Sequence, residues 1–413
     1  MKRFIFYIAI AVFAVLPGLM ARVGLLHLGS VGVMLLSGAA LLGAGFLLSW
    51  GAEAAERHVS QGLAVAGLAL VTILPEYVVD IYYSYQAGQN PGSAYVGFAA
   101  ANMTGANRLL VGFAWPLIVL LSLWRSRERG VTLRSDNSVE IVFLAIASLY
   151  AFVIDAKGRI DLFDTFVLVG LYVVYLRRVG KMTHKEKEEE EEVGPAAALN
   201  TLPVSRQWAA IAALTIFAAL VIVAVAEPFA ESMVSAGGAL GINKFLLIQW
   251  IAPLASEAPG VIITILFVMA RKPATALRAL ISDKINQWTL LVGMIPLFFS
   301  LGAERLSSLP LDARQHEEFF LTAAQSLFAL SLLLSLRLSV RGALALLALF
   351  LAQVGVAYAF QHDEPRTIQM LTSLAWVYLA LASVVIVWNR SRLLDLFKAG
   401  LWQGATPQTA PSA

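Results

Sequence analysis

Six carboxylates, Glu76, Asp80, Glu227, Glu231, Glu257 and Asp283, stand inside stretches of chain that are otherwise apolar. An ionised side chain costs about 2.5–3.5 kcal/mol at the centre of a membrane helix, so each of these needs a partner or a task. Glu76 and Asp80 are spaced i, i+4, as are Glu227 and Glu231, which puts each pair on one helix face. Glu76 follows Pro75, and Glu257 lies between Pro253 and Pro259. A proline removes a backbone donor and frees a carbonyl in the preceding turn. Carboxylates beside freed carbonyls are the oxygen set a hard cation takes, calcium binding about 6–8 oxygens. Glu76, Glu257 and Asp283 are therefore the candidate metal ligands, with Asp80, Glu227 and Glu231 as secondary candidates. The structural alternative is ion pairing with Arg108, Arg278 or Lys284. Lys284 adjoins Asp283, but i, i+1 neighbours do not face each other on a helix, so Arg108 and Lys284 read as charge partners before ligands. Lys284 stays a secondary candidate that, reaching the site, would cancel one charge and favour monovalent exchange.

The elements that must position these groups are membrane helices. The 413 residues are 59% hydrophobic and only 14% charged, against about 25% charged in soluble domains. Mean hydropathy is +0.75. The absence of cysteine excludes a disulfide scaffold, and continuous apolar runs such as 109–123 and 342–360 exclude a residue-by-residue alternating barrel. The expected fold is an all-α polytopic membrane protein of about twelve spans: 4–21, 31–56, 62–87, 94–124, 138–154, 160–178, 207–236, 242–270, 273–301, 316–336, 342–360 and 368–389. Lys2 and Arg3 precede the first run, but no small-residue cleavage site follows, so it is read as a retained span. About 20 basic residues gather on one side of the resulting topology and about 7 on the other, which places both termini in the cytoplasm of a cytoplasmic-membrane protein. Residues 1–178 form a first half, 179–206 an acidic linker with the run Glu188–Glu192, 207–389 a second half, and 390–413 a cytoplasmic tail. The linker reads as a solvated connection, with a regulatory, cation-sensing role as the alternative. A formal net charge of +3 gives no basis for nucleic-acid binding.

The two halves contain a repeat. Asn102-Met-Thr-Gly-Ala-Asn107-Arg-Leu-Leu-Val-Gly112 and Asp283-Lys-Ile-Asn286-Gln287-Trp-Thr-Leu-Leu-Val-Gly293 share Leu-Leu-Val-Gly at an offset of 181, which pairs Asn102 with Asp283. Each copy is preceded by a proline beside a glutamate, Thr72-Ile-Leu-Pro75-Glu76 in the first and Pro253-Leu-Ala-Ser256-Glu257-Ala-Pro259-Gly260 in the second. The first copy, about 62–124, enters from the cytoplasm and the second, about 242–301, from the opposite side. Inverted-topology repeats with broken helices at the midplane are the signature of alternating-access transporters. Helix breaks are expected near Pro75, Pro253, Pro259 and Gly260, with Glu76 brought close to Asp283.

At these residues the chain resembles the calcium/cation antiporter superfamily, the sodium/calcium exchanger membrane-region fold. That family carries two inverted repeats, each with a Gly-Thr-Ser-x-Pro-Glu helix followed by a Gly-Asn-x-x-Gly-Ser-Asn helix. Thr72–Glu76 matches the first helix, with Ile73 in place of the serine. In the second copy Pro259-Gly260 takes the place of Pro-Glu, in a register of 184, and Glu257 lies three residues earlier, close to the family's serine position. Asn102 and Asp283 sit where the family has a ligand serine, and Asn107, Asn286 and Gln287 flank its Asn or Asp. The resemblance thus implies an ion site drawn from Glu76, Glu257, Asp283, Asn102, Thr72, Ser256, Asn107, Asn286 and Gln287, with no cofactor. It also implies a cation antiporter that moves Ca2+ or Na+ against Na+ or H+, its partners being inorganic cations and the bilayer. Sodium/calcium, calcium/proton and sodium/proton exchange share this frame, because protons compete with metal for desolvated carboxylates.

An intramembrane enzyme is the competing class. All five histidines, His27, His58, His184, His316 and His362, are read as loop residues, so the spans hold no Ser/His dyad or imidazole metal site. No Gly-x-Gly-Asp or Asp-Asp-x-x-Asp motif occurs. The chain is read as no enzyme. A channel wants a continuous pore, whereas paired proline-interrupted helices suit occlusion.

Overall fold

The computed structural model describes residues 2–55, 73–180, 198–199 and 202–401, with side chains from residue 6 onward. Thr72, the first part of the 62–87 span and residues 181–197, which hold the acidic run of the linker, lie outside them. Thirteen helices are described. They are α1 (Lys2–Arg22), α2 (Ser30–Ala55), α3 (Leu74–Gln89), α4 (Tyr95–Ser126), α5 (Ser138–Lys157), α6 (Leu162–Gly180), α7 (Val204–Leu240) and α8 (Lys244–Met269). They continue with α9 (Pro273–Gly302), α10 (Ala313–Leu332), α11 (Val340–Ala359), α12 (Glu364–Trp388) and α13 (Arg390–Leu401). Eight of them are long and apolar enough to cross a membrane. The protein is a multi-pass membrane protein, and twelve of its helices fall on the twelve expected spans. Residues 390–401 add α13, which packs back on α5 with Gly400 against Ser138 and Val142.

The repeats are interlocked. Helix α3 packs along α9, meeting it from Tyr77–Asn286 up to Gly88–Phe299, so the two run in the same sense. Helix α8 packs along α4, from Gly97–Phe245 to Gly105–Gln249, again in the same sense. The first helix of one repeat is thus parallel to the second helix of the other, which is an inverted pair. These approaches need bare backbone. A Cβ on Gly88 would lie 2.0 Å from the Phe299 carbonyl oxygen, and one on Gly302 2.1 Å from that of Tyr85. Both second helices carry a π turn, Leu110–Ala114 in α4 and Gln287–Leu291 in α9. Such turns insert one residue into the ladder and re-aim the side chains around them.

Two short antiparallel ribbons repeat the inversion. Strand β1 (Gly130–Thr132), after α4, pairs with β4 (Arg337–Ser339), after α10. Strand β2 (Arg159–Ile160), after α5, pairs with β3 (Leu309–Pro310), after α9. Exchanging the halves maps one ribbon onto the other, and the two lie at opposite ends of α5. Helices α2 and α7 pack extensively on each other and, with α1, flank the repeats.

Candidate ion-binding site

Helix α3 begins at Leu74, and Pro75 occupies its first turn, where a missing N–H costs nothing. The expected breaks in α8 are not formed. Pro253, Pro259 and Gly260 all lie inside one continuous helix. The physical reason lies in what meets the freed backbone. The carbonyl of Gln249, deprived of its donor by Pro253, is covered by Gly105, whose Cβ would fall 1.9 Å from it. The Ser256 hydroxyl adds bonds to the carbonyls of Ala252 (3.2 Å) and Pro253 (3.3 Å), which lie in the same turns but are not the carbonyls the prolines free. Close packing of a neighbouring helix lets a proline-containing membrane helix run on in this way. The Gln249 carbonyl is therefore closed off by the backbone of α4. The rings of Pro259 and Pro75 both abut Gly45 of α2, at 2.7 and 3.8 Å from the position of a Cβ there.

On this frame the two repeat glutamates converge. Gln287 Nε2 donates to Glu257 Oε1 at 2.7 Å and to Glu76 Oε2 at 3.2 Å, tying the carboxylates of α3 and α8 through α9. Glu76 is 1% exposed and Glu257 8%. Glu257, not position 260, turns inward; a Cβ on Gly260 meets nothing within 4 Å. Beside the pair, the Tyr77 hydroxyl donates to Asn286 Oδ1 at 2.5 Å. Glu76 Oε1 and Gln287 Oε1 are buried and have no hydrogen-bond partner. Two acceptors without a donor, one on Glu76 itself and one on Gln287, beside the Glu257 carboxylate describe a place where a cation, or a proton, is wanted.

The other expected residues are distributed around this centre. Asn102 Nδ2 donates to Asp80 Oδ1 at 2.6 Å, so Asn102 partners Asp80 and not its repeat mate Asp283. Asp283, half-buried, interacts electrostatically with Glu257 and Tyr172 but is not hydrogen-bonded to the glutamate pair. Lys284 Nζ donates to the side-chain and backbone oxygens of Asn107 at 3.0 and 3.1 Å and lies 5.5 Å from the Trp288 ring. Asn107 is thereby engaged by a fixed cation. Glu227 is exposed and pairs with Arg22 at 2.9 Å. Glu231 accepts from the hydroxyls of Tyr82, at 2.5 Å, and Tyr95. Both thus lie apart from the glutamate pair. Among the described residues, no three His, Cys, Asp or Glu side chains stand together as a metal site, so a cation at the pair must complete its shell with amide and backbone oxygens.

Composition and spacing missed a buried network between α4, α8 and α10. Arg108 pairs with Glu318, which also accepts from Gln249 at 2.5 Å and is ion-paired with Arg314 at 2.8 Å, while Arg108 lies 5.1 Å from the Trp250 ring. Arg278 pairs with Glu140 at 3.0 Å. The charge partners proposed for the central acids are thus bound to other carboxylates or to an amide. Only the spacing Arg314, Glu317, Glu318 ahead of an apolar run hinted at this network. His316 lies in the first turn of α10, not in a loop, and meets Asp155 at 2.8 Å.

The family model for sodium/calcium exchanger proteins matches residues 29–179 and 210–388. The chain belongs to the sodium/calcium exchanger family. It is similar to the H+/Ca2+ exchanger CAX, whose crystal structure superposes with a TM-score of 0.88 at 40% identity, over 97% of this chain and 98% of that one. Native YfkE gives 0.60 at 12% identity, over 86% and 99%. The sodium-calcium exchanger NCX_Mj gives 0.53 at 17%, over 79% and 97%. At such identities the last two show a shared fold. No curated protein matches the chain. Membership of this family makes the inverted repeat and its paired glutamates parts of a transporter.

Proposed function

We propose that this chain is a cation antiporter of the cytoplasmic membrane that exchanges Ca2+ for protons, with Glu76 and Glu257 binding the two in turn. The observation that carries this reading is the buried pair tied by Gln287, with orphaned oxygens on Glu76 and Gln287. Two carboxylates match the charge of one divalent ion or take up two protons. A pair left ionised and empty in a low-dielectric site is costly, so one occupant leaves as the other arrives. That requirement couples the two fluxes. A single Na+ would leave one carboxylate uncompensated, which favours the calcium/proton pairing over the sodium pairings. Likeness to the H+/Ca2+ exchanger CAX supports the same choice. The basic loops support cytoplasmic termini, which puts the β1–β4 ribbon inside and the β2–β3 ribbon outside. In proteoliposomes, a Ca2+ gradient is expected to drive opposite proton movement, and a sodium gradient to drive none. Ca2+ flux that needs no counter-ion, or that follows sodium, would contradict the reading.

A further inference from the structure

One turn beyond Glu76 on α3 lies a second carboxylate that the central pair does not use. Asp80 is fully buried, and its Oδ1 accepts from Asn102 Nδ2 at 2.6 Å. Its Oδ2 has no partner, and neither has Asn102 Oδ1, on a residue 1% exposed. With Asp80 ionised that bond sets the amide orientation, since flipping it would set two acceptors against each other. The nearby tyrosine hydroxyls are spent elsewhere. The hydroxyl of Tyr77 goes to Asn286, that of Tyr83 to the Ala230 carbonyl at 3.3 Å, and those of Tyr82 and Tyr95 to Glu231. One further turn along the same face of α3, Ser84 Oγ is also buried and unpartnered. No salt bridge engages Asp80 among the described residues. A buried carboxylate and a buried amide that each keep an oxygen free, with no donor in hydrogen-bonding reach of either, form a set of acceptors that a cation would complete.

We propose that Asp80 and Asn102 form a second cation-coordinating position, one helical turn from the Glu76–Glu257 pair toward the β2–β3 face, filled when the central pair is neutralised. The proposal rests on the reading of that pair as the central ion site. The helical rise places the two positions about 6 Å apart along α3. Divalent ions so close repel strongly, so the positions fill alternately rather than together. The second position is a staging point between the centre and the outer face, carrying one carboxylate where the centre has two and binding more weakly in consequence.

The test is equilibrium binding of radioactive Ca2+ to the purified full chain in detergent. In the doubly neutralised Glu76→Gln/Glu257→Gln protein, weak saturable Ca2+ binding is expected to persist. Adding Asp80→Asn should remove it. Adding Asn102→Asp to the same double variant should instead tighten it by about tenfold or more, because affinity follows the number of charged ligands. The second arm stands even if Asp80→Asn fails to fold. Equal binding by the double variant and its Asp80→Asn derivative would overturn the staging position, as would no effect of Asn102→Asp. If the double variant binds as tightly as the unmodified protein, the central assignment fails instead, a different comparison from the one that judges Asp80.

Discussion

Replacing Gly45 by alanine tests whether the two proline turns position the glutamates. The added Cβ would stand 2.7 Å from Pro259 Cγ, whereas carbon atoms settle at about 3.5–4.0 Å. Helix α2 or the Pro259 turn must therefore give way by about 1 Å. Overpacking of this kind costs about 1–3 kcal/mol, offset by the roughly 0.5–1 kcal/mol that alanine gains over glycine in a helix. A net destabilisation of up to about 2.5 kcal/mol is expected. Glu257 lies two residues before Pro259, and a shift of about 1 Å would open its 2.7 Å bond to Gln287 beyond hydrogen-bonding range. A hydrogen bond to a charged group is worth about 1.5–3 kcal/mol, so the formed site loses roughly tenfold to hundredfold in population. Thermal unfolding in detergent and Ca2+ flux in proteoliposomes read the two effects. The control is Gly260→Ala, where a Cβ meets nothing and the helix gains stability with flux unchanged. A Gly45→Ala protein that is stabilised and transports normally would refute the reasoning.

Arg108→Met leaves the buried Glu318 with Arg314, Gln249 and a 3.5 Å bond from Thr104, and is expected to destabilise by about 3–5 kcal/mol, while Arg108→Met/Glu318→Met recovers most of the loss. Thermal denaturation of both proteins checks this, and an undiminished melting temperature for the single variant would contradict it. Lys157→Met strips Asp164, which is fully buried, of a partner at 2.5 Å and should cost a similar amount, with Lys157→Met/Asp164→Asn restoring stability.

Much of the frame was legible because an inverted repeat leaves a trace in the chain. The shared Leu-Leu-Val-Gly fixed the offset that pairs Glu76 with Glu257, and those residues do face one another across Gln287. Contacts across hundreds of residues leave no such trace. Asn102 was aligned with Asp283 by symmetry, yet its amide meets Asp80, because α4 lies beside α3. The break expected at Pro253 required knowing what meets its freed carbonyl, and Gly105 of another helix supplies the cover. Arg108 and Glu318 are 210 residues apart, so neither spacing nor periodicity could join them. The facing of Glu257 depended on α8 staying helical through Pro259, which local propensity argues against.

The central claim, that Glu76 and Glu257 hold calcium and protons in turn, is tested most directly by proton release on Ca2+ binding. Titrating Ca2+ into the detergent-solubilised protein at successively lower pH should release protons in a number approaching two per ion. Glu76→Gln and Glu257→Gln should each reduce that number and weaken Ca2+ binding. Unchanged Ca2+ affinity and proton release in both variants would contradict it.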